Sequence, residues 1–379
     1  MVRALSFRSR RCGYLCRFAA GSLIIGATGM MPAGATPATF GERPVAAAGG
    51  QVSSPACMTS ASAAGVLDPF QGICAYLSGR QGVVQVALFD PSNGITYLLS
   101  NGNDTQYTAS IVKVNIMAQW LHDYQQQGTQ IPGGIPFSIR FLMQQNIEIS
   151  DNSAATALFF FKGGCGALTQ FHNLIPLTST TVGCETPTYY GWGNTTTTAA
   201  DQTELMKILA YGGRDDVLGS DARNYELQVM QNVRADQRFG ITCGPWGTSC
   251  SPPNFASPVP GVTVALKNGW KTVPTCTLPI AQCPWQVNST GWVSGEGRNY
   301  VLTVLTTNNP VGTGNDFGFH YGIDTIQNIS ELIWSNLGQG PATPAPTPSA
   351  FSRQPGLPTT GAASRSNQGG ADWFVPERR

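Results

Sequence analysis

The order of hydrophobic periods along the chain constrains its fold more than any other feature. Residues patterned for strands come early, residues patterned for helices fill the middle, and strand patterns return late before one last helix. Val83 to Phe89 reads as a strand, Asp90-Pro91-Ser92-Asn93-Gly94 as a turn and Ile95 to Leu99 as the return strand, which predicts a hairpin. Ile111 to Tyr124 carries Val112, Ile116, Met117, Trp120 and Leu121 at helical spacing. Phe137 to Ile149 and Gln202 to Tyr211 are further helices, and Asn152 to Phe161 is a helix apolar enough to be expected fully buried. The Thr-, Tyr- and Gly-rich stretch from Thr178 to Thr198 shows no period and reads as a long loop. Val262 to Leu266, Trp285 to Val293 and Asn299 to Leu305 are strands, and Ile326 to Leu337 is the closing helix. The expected class is therefore α+β, with N- and C-terminal strands joined in one antiparallel sheet packed with a helical subdomain.

The ends of the chain behave differently. Arg3, Arg8, Arg10, Arg11 and Arg17 precede and enter an apolar run, and Ala33-Gly34-Ala35 follows it. That order of basic, apolar and small residues predicts a cleaved secretory signal peptide over 1–35. Its loss would change the net charge from +1 to near −4, so no broad basic surface for nucleic acid is implied. Residues 36–65 read as a flexible linker, 66–337 as the folded domain, and 338–379 as a Pro-rich disordered tail. The expected location is secreted, extracellular or associated with a cell wall. The tail contains Leu357-Pro358-Thr359-Thr360-Gly361, which is similar to a wall-sorting motif but lacks the apolar run and basic end that such a signal needs.

Cysteine usage points the same way. Of 10 cysteines, Cys12 and Cys16 would leave with the signal peptide. The other eight fall in near-neighbour pairs: Cys57 with Cys74, Cys165 with Cys184, Cys243 with Cys250, and Cys276 with Cys283. An even number in an exported chain reads as disulfides, and this pairing is one expectation among many connectivities. There is no C-x-x-C, and His122, His172 and His320 do not flank the cysteines at ligand spacing, so no metal is expected.

Three short motifs carry the chemistry. Ser110-Ile111-Val112-Lys113 opens the first long helix, Ser150-Asp151-Asn152 precedes the apolar helix, and Lys267-Asn268-Gly269 ends the strand begun at Val262. Residues three apart on a helix share a face, which puts the Lys113 amine within reach of the Ser110 hydroxyl. A serine hydroxyl attacks poorly unless a base takes its proton, and a buried lysine beside another cation has a depressed pKa and can be that base. Backbone N–H groups at a helix start can face a developing oxyanion. Taken singly, each motif is unremarkable: a solvated helix face, a helix N-cap and a turn. Their conjunction, in this order and setting, is not. No G-x-S-x-G supports a Ser-His-Asp hydrolase.

On these residues the chain resembles the class A β-lactamases and the wider superfamily of penicillin-recognising serine hydrolases. The resemblance runs from about Val83 to Leu337 and includes the Thr-rich Thr195-Thr196-Thr197-Thr198 entry to the next helix. It implies a covalent acyl-enzyme on Ser110, with Lys113 as base and Ser150 relaying a proton to the leaving nitrogen. Asn152 would hold the substrate amide and orient Lys113. Lys267 would supply positive charge near the substrate carboxylate, and the backbone N–H of Trp270 would complete the oxyanion site. Asp151 would point away and tie loops together. No cofactor is implied, and the partner is a small β-lactam or a peptide ending in D-Ala-D-Ala, acted on by a monomer.

The sequence also departs from the family pattern. Asn268 stands where the family has Thr or Ser, so its amide N–H would have to replace the hydroxyl that binds the substrate carboxylate. The interval from Ser110 to Ser150 is short, which trims a segment that overhangs the cleft. The family's deacylating glutamate has its candidate in Glu185, which comes late in the loop; its alternative is an exposed carboxylate beside a disulfide. Tyr189, Tyr190 and Trp192 read as loop packing, with the cleft mouth as the alternative. Three functions follow: β-lactam hydrolysis, D-alanyl-D-alanine carboxypeptidase action, and a binding module or sensor with little turnover.

Overall fold

The structure is a computed structural model that describes residues 58–60, 68–100, 105–184, 191–242, 261–273, 276–278, 282–311 and 317–338. The predicted signal peptide and tail lie outside the described residues. In chain order the elements are β1 (Met58–Ser60), α1 (Ile73–Leu77), β2 (Val83–Asp90), β3 (Ile95–Ser100), β4 (Gln106–Tyr107), α2 (Val112–Gln126), α3 (Phe137–Glu148), α4 (Asn152–Phe161), α5 (Gly164–His172), β5 (Thr196–Thr197), α6 (Ala199–Tyr211), α7 (Ser220–Gln231), β6 (Thr263–Thr272), β7 (Trp285–Gly295), β8 (Arg298–Asn309) and α8 (Phe317–Leu337). Short 3-10 turns at Ala109–Ile111 and Gly191–Asn194 flank the region of interest.

Six strands form one antiparallel sheet in the order β1-β3-β2-β8-β7-β6, so the early hairpin does join the late strands. β1 lies inside the stretch expected to be linker and pairs with β3. Alternation along β8 sorts the two faces of the sheet. Thr303 meets Thr203 of α6 through their hydroxyls at 3.0 Å, while Thr306 sits opposite Val287, against which α8 packs through Gly322. A Cβ at Gly322 would come within 2.5 Å of Val287 Cγ2, so glycine there lets α8 lie close on the sheet.

The helical side is centred on α2. Every residue from Val112 to Leu121 is buried, polar ones included. α4 begins cleanly because the Asp151 carboxylate accepts from the Ala154 backbone N–H at 2.7 Å, an N-cap bond. Its middle is buried as expected, at Ala154, Ala155, Thr156, Leu158 and Phe159, but Ser153 near its start is exposed and Phe160 and Phe161 at its end are 56% and 70% exposed. His122 on α2 and His172 on α5 both turn away from solvent. His122 is half-buried with Nδ1 2.7 Å from Val217 O, and His172, 5% exposed at the end of α5, has Nε2 3.0 Å from Asn115 Nδ2. Burial pushes the His172 imidazole down to about 4.

Of the cysteine pairs, Cys276 and Cys283 are joined. Cys74 is disulfide-bonded. Cys165 and Cys184 are in hydrogen-bond contact as thiols, without the expected bond between them. Cys57, Cys243 and Cys250 are not among the described residues. Among those residues no helix is long and apolar enough to cross a membrane, and no group of three His, Cys, Asp or Glu side chains could hold a metal ion.

Candidate active site

The three motifs meet at the junction of α2, α4 and β6. Ser110 sits in the 3-10 turn that leads into α2 and is 2% exposed. The residue before it, Ala109, has φ 47°, and Ser150 has φ 57°. Both are left-handed conformations that cost a non-glycine residue on the order of 1–3 kcal/mol, and such strain collects where geometry matters for function. Ser150 is held there by the Asp151 N–H, which donates to Gln145 O at 2.9 Å, and by Lys113, which bonds the Ser150 carbonyl.

Lys113 is completely buried in the first turn of α2. Its Nζ lies 2.5 Å from Ser150 O, 3.1 Å from Ser150 Oγ and 2.8 Å from Asn152 Oδ1. Lys267, 1% exposed on β6, places its own Nζ 2.9 Å from the same Ser150 Oγ and 2.7 Å from Asn268 O. Two buried lysines therefore converge on one hydroxyl. Burial, followed by the neighbouring Lys267 charge, holds Lys113 well below the usual lysine range, with Asp151 pulling the other way. Burial lowers Lys267 to about 7. Lys113 is thereby biased toward its neutral form, and Lys267 titrates near neutral pH.

Gly269 brings β6 against the turn that carries Ser110. A Cβ at this position would fall 2.5 Å from Ser110 N, 2.7 Å from Ile111 N and 2.9 Å from Thr108 O, so only glycine permits the approach. Strand alternation puts Lys267, Gly269 and Lys271 on the face toward Ser110 and Ser150, and Asn268 and Trp270 on the opposite one. Trp270 accordingly packs its indole on Phe239 and Phe319, at 5.4 and 5.2 Å between ring centroids.

The same alternation corrects the expectation for Asn268. Its Nδ2 donates to Gln237 O at 2.7 Å and to Phe239 O at 3.0 Å, so both amide hydrogens are spent on backbone. Asn268 is a structural tie to the 237–239 segment and offers no N–H to a substrate. Asp151 is an N-cap as well as a loop tie. Glu185, Tyr189 and Tyr190 lie outside the described residues.

Two further residues lie near the site: Trp192, read from the sequence as loop packing with the cleft mouth as the alternative, and Lys271, which drew no reading. Trp192, fully buried, has its ring centroid 5.1 Å from Lys113 Nζ and donates through Nε1 to Thr156 Oγ1 at 3.1 Å. Lys271, 2% exposed, hydrogen-bonds Asn194 Oδ1 and lies 5.0 Å from the Tyr107 ring centroid. The signal for Lys271 was present: it has the same strand parity as Lys267.

This arrangement can move a proton among Lys113, Ser150 and Lys267 beside a serine at a helix start. Comparison with known proteins identifies the fold. The fold is that of PBP-A (TM-score 0.52, 19% identity, 70% of this chain and 94% of that one). It is also that of a class A β-lactamase from Bacteroides cellulosilyticus DSM 14838 (TM-score 0.54, 15% identity, 72% and 99%) and of an ancestral class A β-lactamase, GNCA (TM-score 0.52, 18% identity, 71% and 99%). No curated protein matches the sequence. The profile of the β-lactamase enzyme family matches residues 123–337, which takes in the second and third motifs and begins after Ser110 and Lys113. With more than half of its length covered by that match, the chain belongs to the β-lactamase enzyme family.

Proposed function

We propose that the protein is an exported serine hydrolase that β-lactams acylate at Ser110. The observation that carries this reading is the convergence of Lys113 and Lys267 on the Ser150 hydroxyl, next to Ser110. In its neutral form the Lys113 amine donates its two hydrogens to Ser150 O and Asn152 Oδ1 and turns its lone pair, as a base, toward Ser150 Oγ 3.1 Å away. Ser110 Oγ attacks the lactam carbonyl, its proton passes to Lys113, and Ser150 delivers a proton to the departing nitrogen. Lys267, cationic below about pH 7, restores the Ser150 proton and draws in an anionic substrate. The backbone N–H groups of Ser110 and Trp270 hold the oxyanion, and Asn152 holds the acyl amide. A point mutant of PBP-A has been solved as its acyl-enzyme complex with penicillin G, which supports β-lactams as the probe.

A second reading is slow turnover, as in a D-alanyl-D-alanine carboxypeptidase or a penicillin-binding sensor. The aromatic cover on Lys113 favours it. On that reading Glu185 does not serve as the deacylating base, so Glu185→Gln leaves both acylation and the life of the adduct unchanged. The deciding experiment is an intact-mass time course with penicillin G. The expected result is a covalent gain on the wild-type chain that Ser110→Ala abolishes. Acylation of Ser110→Ala at the wild-type rate overturns the assignment.

A further inference from the structure

Lys113 is enclosed by more than its motif partners. Ser150 and Asn152 occupy its polar side, and the indole of Trp192 covers another. Trp192 is fixed from two directions. Its Nε1 is bonded to Thr156, which lies one helical turn beyond Asn152 on α4 and so on the same face. The turn that carries it, Gly191–Asn194, is bonded to β6 through Asn194 and Lys271. A flat apolar group is thus held against the amine from the loop side, in contact range of the base but unable to take part in proton transfer.

We propose that Trp192 is a positioning residue that excludes water from Lys113 and thereby makes the acyl-enzyme on Ser110 long-lived. This rests on the assignment of Ser110 and Lys113 above. Release of the acyl group requires a water oxygen to attack the ester carbonyl and to lose a proton to a base. The C–Oγ bond then breaks, and Ser110 Oγ takes the proton back. The neutral Lys113 amine can be that base wherever a water can touch both it and the ester. The indole occupies volume that such a water needs, and its hydrogen bond to Thr156 keeps it there. The loop face of the site is therefore built to hold an acyl group, and the protein acts as an acceptor of β-lactams more than as a destroyer of them.

Two measurements on the full chain test this. The first is the decay of the penicillin G adduct by intact mass. Trp192→Ala should shed the adduct about tenfold faster than wild type or more, and Trp192→Phe, which keeps the apolar fill, should stay within about threefold. The second needs no substrate: cyanate adds to a neutral amine only on contact, so carbamoylation of Lys113, read by peptide mass, reports access to it. It should rise in Trp192→Ala and stay at the wild-type level in Trp192→Phe. Should Trp192→Ala fail to fold, Thr156→Val keeps the test, since it removes only the acceptor that anchors the indole and should raise both readouts about two- to threefold. An unchanged adduct lifetime in a folded Trp192→Ala, or unchanged Lys113 carbamoylation, overturns the proposal, as does a Phe variant as fast as the Ala one. If no variant is acylated while carbamoylation still rises in Trp192→Ala, the β-lactam reading fails and the shielding role stands.

Discussion

Glu226 allows a quantitative test of how this core is charged. It lies on α7, is fully buried, and neither carboxylate oxygen has a hydrogen-bond partner among the described residues. Burial alone drives its pKa well above the ordinary 4.5, so the folded state keeps the proton. The unfolded chain releases that proton above about pH 4.5. Folding must then take it up again, and stability falls as pH rises from that point toward the folded pKa. The limiting slope for one group is about 1.4 kcal/mol per pH unit, and it holds until the pH approaches the folded pKa. Glu226→Gln keeps the shape and the unpartnered polarity but cannot titrate. Urea unfolding of both proteins at pH 5, 6 and 7, followed by tryptophan fluorescence, should show the variant gaining on wild type by that slope. Glu148, pushed up to about 7 by burial, is present in both and cancels. A stability difference that stays constant over these two pH units would refute the claim that Glu226 is held protonated.

Three further outcomes follow from the site. Gly269→Ala should lower the penicillin acylation rate on the order of 10²-fold with the far-UV circular dichroism preserved, because the added Cβ must push β6 away from Ser110 N. Lys267 sheds its proton near pH 7 when folded and near 10.5 when unfolded, so its contribution to stability rises with pH across that window. Relative to Lys267→Met, wild type should therefore gain about 1.4 kcal/mol per pH unit between pH 7 and 9 in thermal melts or denaturant titrations. Asn268→Thr restores the family hydroxyl but cuts the bonds to Gln237 O and Phe239 O, and should cost roughly 1–3 kcal/mol of stability without improving acylation.

Strand and hairpin signals in the sequence were strong where alternation ran uninterrupted. The hairpin of β2 and β3 and the helix Asn152–Phe161 match their expected bounds to within a residue. The helices that escaped notice share a physical reason. α5 begins between Gly163 and Gly164, both at positive φ, and glycines read as punctuation. α7 has the charged Glu226 where an apolar residue would complete its stripe, so its buried face is invisible to a hydrophobic period. α8 starts nine residues before its expected first residue because Gly318 and Gly322 look like breakers, yet both are close-packing positions against Trp285 and Val287. The exposed Phe160 and Phe161 show the converse: apolar composition alone does not bury a helix end.

The site divides along the same line. Ser110, Lys113, Ser150, Asn152 and Lys267 were legible because each sits in a short motif whose spacing already implies a shared face or an element boundary. Asn268 was misread for want of one step that the sequence does contain. Adjacent residues on a strand point to opposite faces, so once Lys267 is placed toward Ser110, Asn268 must turn away, and Lys271 must join Lys267. Trp192 had no such route. Its place against Lys113 depends on how a loop returns over α4, a contact between residues far apart in sequence that no local period encodes. Residues proposed to act on the substrate could thus be found by motif, whereas the residue argued to govern how long the product of that action lasts could be found only by packing. A family in which the motifs are retained and the cover on Lys113 varies would keep acylation and change turnover.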